Sequence, residues 1–159
     1  MTMRDDTLSL VLGEWRLERV LHDRLTGTGG RFEGTAIVHP ADHESGVVND
    51  SDSAIYEERG RIEFGAHQGP SHRTLKFKRL ESGAVAVRFA DDRPFFELDL
   101  RAARCEALHP CGPDDYELSF ELKSPDLIIE SWAVRGPTKD YEAETVWRRV
   151  TATSSHQRT

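Results

Sequence analysis

The stretch Tyr116-Glu117-Leu118-Ser119-Phe120-Glu121-Leu122-Lys123 alternates without a break. Tyr116, Leu118, Phe120 and Leu122 fall on one side of an extended chain, and Glu117, Ser119, Glu121 and Lys123 on the other. A period of two over eight residues predicts a β-strand with one face in a core and one in water. The same pattern recurs in both directions along the chain. Downstream, Leu127 to Arg135 and Tyr141 to Val150 read as strands. Upstream, so do Trp15 to Leu21, Arg31 to His39, Ile55 to Gly65, the alternation of Leu75 and Phe77 with Thr74, Lys76 and Lys78, Val85-x-Val87-x-Phe89, and Phe96-x-Leu98-x-Leu100. Turn residues separate these runs, among them Thr26 to Gly30, Gly69-Pro70-Ser71, Glu81-Ser82-Gly83, Asp91 to Pro94, Ser124-Pro125-Asp126 and Gly136-Pro137.

Eight to ten short strands joined by short loops predict an all-β antiparallel up-and-down barrel, because closure removes exposed sheet edges. The one helical stretch is Thr7 to Leu12, with Asp6 or Thr7 as N-cap. It is long enough to plug one end of a barrel. We expect one domain over residues 7–150, with flexible tails at 1–6 and 151–159 and a mobile loop from His43 to Ser53. No internal repeat is evident.

Composition narrows the function classes. The 159 residues are 31% charged and 37% hydrophobic, with a net charge of −7. A nucleic-acid or anionic-membrane partner would call for a basic patch, so neither is expected. No apolar run approaches the ~20 residues that span a bilayer. The start lacks a basic segment followed by an apolar one, so no signal peptide is expected and a cytoplasmic location is. Cys105 and Cys111 lack metal-type spacing and read as reduced thiols; no metal site is expected.

In a small barrel, inward residues fill the core or line a cavity, so polar residues on apolar faces carry the information. Glu58 shares its face with Tyr56, Gly60, Ile62 and Phe64. Arg73 shares its face with Leu75 and Phe77, Glu130 with Ile128, Trp132 and Val134, and Arg149 with Tyr141, Ala143, Thr145 and Trp147. Buried charge must be paired, and Glu58 and Arg73 stand on consecutive strands. They form either a satisfied internal ion pair or a ligand-facing site in which Arg73 grasps a carboxylate or phosphate. The densest polar cluster is His109-Pro110-Cys111-Gly112-Pro113-Asp114-Asp115-Tyr116. It reads as a structured hairpin loop or as an acid/base site. Lys139, between Gly136-Pro137 and Tyr141, could place a cation at a barrel mouth.

Several of these motifs, in order, resemble the DUF6314 family of unknown function. They are Gly13-x-Trp15 with Arg19; Gly30-x-Phe32-x-Gly34-x-Ala36; Tyr56-x-Glu58-x-Gly60; Arg73; Phe89-x-Asp91-x-Arg93-Pro94-Phe95; His109-x-Cys111-x-Pro113-Asp114-x-Tyr116; Trp132-x-Val134-x-Gly136-Pro137-x-Lys139-Asp140-Tyr141; and Arg149. The chain departs from that pattern at Asp92, where the family has Gly, and at Phe96, where it has His. The resemblance implies a calycin-like, lipocalin-like barrel and no established activity. A first-strand Trp and a last-strand Arg brace the closed end of such barrels, so Trp15 should pack near Arg149, with Leu118, Phe120, Val87, Leu98 and Trp132 inside.

The leading expectation is a small-molecule-binding barrel for a polar or anionic-headed ligand. Arg73 and Lys139 would meet the head, with Glu58 beside them, and Tyr56, Phe77 and Trp132 the body. The alternative is a small enzyme of isomerase, hydrolase or decarboxylase type. There His109 would be the acid/base, Asp114 would orient it, and Tyr116 or Arg73 would stabilise charge. A haem barrel lacks an inward axial His, since His72 has the outward parity of Thr74. Nothing in the sequence demands a partner-binding module. Cofactor and oligomeric state are not indicated.

Overall fold

A computed structural model describes residues 6–41 and 52–151. A single turn of helix, α1 (Thr7–Val11), precedes ten strands: β1 (Gly13–Asp23), β2 (Thr28–Pro40), β3 (Ser53–Phe64), β4 (His67–Arg79), β5 (Val85–Phe89), β6 (Pro94–Leu98), β7 (Arg104–Cys111), β8 (Asp114–Ser124), β9 (Leu127–Arg135) and β10 (Asp140–Arg149). Every strand pairing is antiparallel, and the sheet order is β6-β5-β4-β3-β2-β1-β10-β9-β8-β7. Consecutive strands are therefore neighbours, and β1 pairs with β10, so the chain forms the up-and-down barrel its alternation predicts. The expected loop from His43 lies outside the described residues up to 51, and Ser53 already belongs to β3. Of the expected tails, 1–5 and 152–159 lie outside them too. Asp6 is ordered, and its carboxylate accepts from the Ser9 amide as N-cap of α1.

The barrel closes between β6 and β7 without backbone pairing. The Cys105 thiol bridges the gap, donating to the Glu97 carbonyl (3.7 Å) and accepting from the Asp99 amide (3.4 Å). Phe96 and Phe120 stack across it at 5.5 Å between ring centroids. A register shift at Val87/Arg88, where β5 meets β6, brings Phe95 inward as well as Phe96. A β-bulge has this effect because it breaks the strict two-residue period. Asp92, in the turn just before β6, has φ +70°, the left-handed region that favours glycine.

Strand β7 corrects the sequence reading, which placed His109 in a loop at a strand entrance. His109 is inside the strand, opposite Tyr116, and the hairpin turn is Gly112-Pro113. The alternation of β7 escaped notice because it is inverted. Its inward residues Cys105 and Ala107 are small or weakly apolar, and its most apolar residue, Leu108, points into water at 74% exposure. Pro110 is tolerated because β7 is a sheet edge.

One end is sealed. Leu8 and Val11 of α1 are buried, the Trp15 indole donates to the Val11 carbonyl, and the Arg149 guanidinium lies 4.2 Å from the Trp15 ring centroid. Above this end, Leu17, Val87, Leu98, Leu118, Phe120, Ile128 and Trp147 fill the interior. Toward the other end the inward positions change character. Leu21, Ile62, Ser71, Arg73, Phe89, His109, Tyr116, Trp132 and Tyr141 are only half-buried. The lower half of the barrel is packed, and the upper half is an open cup.

Candidate functional site

The boundary between the two halves is a layer of buried charge. Register places Glu58 directly opposite Arg73, Thr145 opposite both Arg19 and Glu130, and Arg19 opposite Phe32. Glu58 and Glu130 are almost fully buried. Arg19 holds Glu58 bidentately (Nη2 to Oε1, 2.8 Å; Nη1 to Oε2, 3.1 Å) and donates from Nε to the Thr145 hydroxyl at 2.7 Å. The Tyr56 hydroxyl donates to Glu58 Oε1 at 2.7 Å. Arg73 reaches the same oxygen at a longer 3.3 Å.

Burial works against the charge on Glu58, but the Arg19 hydrogen bonds, the Arg73 charge and the Tyr56 hydroxyl outweigh it. The carboxyl is held down at about 2. Glu130 goes the other way: burial pushes it up, and Arg19 and Arg73 do not cancel that. Its Oε2 lies 3.8 Å from Arg19 Nη2, too far for a hydrogen bond. Burial also opposes the Arg73 charge, but Tyr56, Glu58 and Glu130 hold the guanidinium protonated.

Arg73 is the unevenly used cation of this layer. Its side chain is 29% exposed against 14% for Arg19. It stands between the rings of Tyr56 and Trp132, 5.8 and 5.3 Å from their centroids. Its Nε is buried and has no hydrogen-bond partner among the described residues. Glu130 Oε2, Trp132 Nε1 and Trp147 Nε1 are likewise buried without a partner, and their residues line one interior cavity with Arg73. That cavity measures about 10 Å³, the size of one water-sized sphere. Tyr56, Phe77, Phe96 and Phe120 complete much of its wall.

Above Arg73 the cup has two walls. On one side Leu21, Ile62, Phe64, Ser71 and Tyr141 line a cleft of about 510 Å³, within the size range of small-molecule sites. On the other, Phe89, Phe95, His109, Tyr116 and Trp132 form a chain of ring contacts, with centroids 4.4 to 6.4 Å apart. At the rim, Lys139 pairs with Asp114 at 3.3 Å, and a Cβ at Gly136 would collide with that carboxylate. Burial together with Tyr116 pushes the Tyr141 phenol up to about 12.

The structure thus brings Tyr56, Arg73, Phe77 and Trp132 onto one cavity, with Glu58 in the layer beside it. Lys139 and Asp114 stand at the rim. The Asp114 carboxylate is engaged by Lys139, and His109 packs among rings, so the Asp114–His109 pairing expected of an enzyme does not form in this geometry. Sequence reasoning missed Arg19 as the main partner of Glu58, and Thr145. The signal was present: Arg19 has the inward parity of Trp15, Leu17 and Leu21. Among the described residues, no group of His, Cys, Asp or Glu side chains is placed to hold a metal.

Solved structures share this barrel. One is a protein of the DUF3598 family, described as of unknown function, from Nostoc punctiforme PCC 73102, with a TM-score of 0.59 at 14% identity. The likeness covers 91% of this chain and 49% of that one, so this chain spans about half that protein's length. Another is the S-type phycobiliprotein lyase CPES from Guillardia theta, with a TM-score of 0.52 at 8% identity over 91% of each chain. At these identities the likeness concerns the fold alone. No curated protein matches the sequence. A family model does match, over residues 11–149: the chain belongs to DUF6314, a family of unknown function.

Proposed function

We propose that this protein is a small-molecule-binding barrel. The ligand enters the open upper half, sets a polar or anionic head on Arg73 and lays an apolar body against Trp132, Leu21 and Ile62. Lys139 adds positive charge at the rim. The observation that carries this reading is the state of Arg73. It is a guanidinium at the floor of a cup, partly exposed, whose bond to Glu58 is a long 3.3 Å and whose buried Nε has no hydrogen-bond partner among the described residues. Arg19, by contrast, uses all three nitrogens on Glu58 and Thr145. A second arginine, partly exposed and with a buried donor unused, suits an incoming acceptor.

The test is native mass spectrometry of the full-length protein purified from its own cells, compared with Arg73→Met purified identically. A retained molecule is expected on the wild type. Its affinity should fall ten- to a hundredfold in the variant, the worth of one or two hydrogen bonds to a charged group. Equal retention by a folded R73M protein would overturn the assignment of Arg73.

A further inference from the structure

We propose that an anionic head group binds at Arg73 together with one proton, which Glu130 takes up. The inference rests on the ligand-binding reading above and adds what the interior must do when a charge arrives. Arg19 holds Glu58 bidentately, Arg73 lies 3.3 Å from the same carboxylate and Glu130 lies 3.8 Å from Arg19, so two cations and two carboxyl groups share the layer. Arg73 and Glu130 both line the small cavity, and each carries a buried polar atom without a hydrogen-bond partner among the described residues. An anion seated on Arg73 would put three negative groups around two cations in a low-dielectric interior. Like charges so placed cannot all stay ionised, and the carboxyl that burial already disfavours is the one that protonates.

Protonation also turns Glu130 from an acceptor into a donor. Arg73 Nε, Trp132 Nε1 and Trp147 Nε1 are all donors, and an ionised Glu130 is an acceptor only. A protonated Glu130 becomes a fourth donor, and the anion's oxygens supply acceptors to the set. The balance is simple: one proton leaves solvent and bonds to a Glu130 oxygen, and no other bond is made or broken.

The groups that face Glu130 confine the titration to it. From β1 comes Arg19, from β3 Tyr56 and Glu58, and from β4 Arg73. Strand β10 supplies Thr145 and Trp147, β8 Phe120, and β6 Phe96 and Leu98, none of which titrates in the neutral range. Glu58 is already held down at about 2 and stays ionised. Three imidazoles stand near the cup: His109, packed against Phe95, and His22 and His67, which line the cleft.

The probes are naphthalene-1-sulfonate, which remains an anion at every pH used, and its neutral sulfonamide. Titration calorimetry of the full chain in buffers of different ionisation enthalpy counts protons directly. The sulfonate should bind with uptake of up to about one proton near neutral pH, and its affinity should weaken by up to tenfold per pH unit as pH rises through the working range. The sulfonamide should bind without uptake. In Glu130→Gln the sulfonate should bind at least as tightly, with no uptake and a flat pH profile. In His109→Gln the uptake should persist. Infrared difference spectra should show a protonated-carboxyl band that appears on adding sulfonate to the wild type, a readout that needs no variant to fold. Sulfonate binding without uptake, or uptake that survives in E130Q, overturns the proposal and leaves the binding reading standing. Failure of both probes to bind overturns the cup as a ligand site, and the proposal with it.

Discussion

Arg19 and Glu58 meet end-on inside the barrel, with two nitrogen–oxygen distances of 2.8 and 3.1 Å and only 3% of the Glu58 side chain exposed. They come from strands that are not neighbours; β2 lies between β1 and β3. The arginine reaches across because Gly34, on β2 between them, has no side chain. In its place the Phe32 ring packs over Gly34 and Gly60, and the Arg19 guanidinium rests 4.9 Å from that ring's centroid.

The first prediction concerns acid. Glu58 is held at about 2 against an ordinary value of 4.5. A carboxyl with a depressed folded-state pKa contributes stability that is complete above its unfolded value and is lost as pH falls through the folded one. The window is therefore from about 4.5 down to about 2, and the contribution is roughly 3 kcal/mol. Denaturant titrations at pH 7 and pH 3 should show about 2 kcal/mol of this loss in the wild type, the rest coming as pH falls through 2. Glu58→Gln should already be destabilised at pH 7, because it leaves two buried guanidinium groups short of a partner, and should lose much less between the two pH values. An equal acid loss in the variant would assign the acid sensitivity elsewhere.

The second concerns the glycine pair. Gly34 and Gly60 face each other across β2 and β3. A Cβ at Gly34 would run into the Arg59 carbonyl and sit 2.8 Å from Gly60 Cα. Backbone cannot give way as a flexible side chain can, so Gly34→Ala should separate the strands and disturb the seat of Arg19. A loss of about 2 kcal/mol or more is expected in thermal or denaturant unfolding, in the range of overpacked cores. Ala at Gly27, a turn glycine with open space around it but φ +70°, should cost only about 1 kcal/mol through backbone strain.

The architecture was legible because parity is a local property. Tyr116 to Lys123 and its counterparts declare their inward faces without reference to any partner, and Trp15, Leu118, Phe120 and Val87 are buried as that parity requires. Glu58 opposite Arg73 was legible for the same reason, since consecutive strands of a meander must pair. Arg19 as the stronger partner was not, because its contact with Glu58 skips a strand and depends on Gly34 leaving room. Strand β7 was hidden by small inward residues and an outward Leu108. The Asp114–Lys139 pair was hidden because closure of the β8–β9–β10 corner, and not sequence spacing, sets which charges meet at the rim.

A third prediction follows from the closed end. Arg149 donates to the carbonyls of Leu12 (2.8 Å), Leu10 (2.9 Å) and Pro125 (3.2 Å) while stacking on Trp15. The Leu10 and Leu12 carbonyls belong to the end of α1 and the residue after it, where a helix turn has no acceptors' partners of its own. Arg149→Met keeps the packing stem and removes the donors. It should cost about 2 kcal/mol and loosen α1 first, seen as faster amide exchange at Leu10 and Leu12 than in β8 or β9.

The last prediction tests the seam. Strands β6 and β7 are the two edges of the sheet, and the contacts that cross between them are side-chain contacts, with Cys105 at the centre. Its thiol is half-buried, whereas Cys111, near the β7–β8 turn, is exposed. A thiol reagent should therefore modify Cys111 rapidly and Cys105 slowly, in two resolved phases, and the slow phase should vanish in Cys105→Ala. Bonds through sulfur are weak, so this substitution should lower global stability by only about 1 kcal/mol. Its effect should be local: amides of 94–98 and 104–108 should exchange faster, while those of β1, β2 and β3, paired on both sides, keep their protection. Slow exchange maintained on both edges in the variant would mean that ring contacts across the seam, Phe96–Phe120 and Phe95–His109, hold the barrel shut without the thiol.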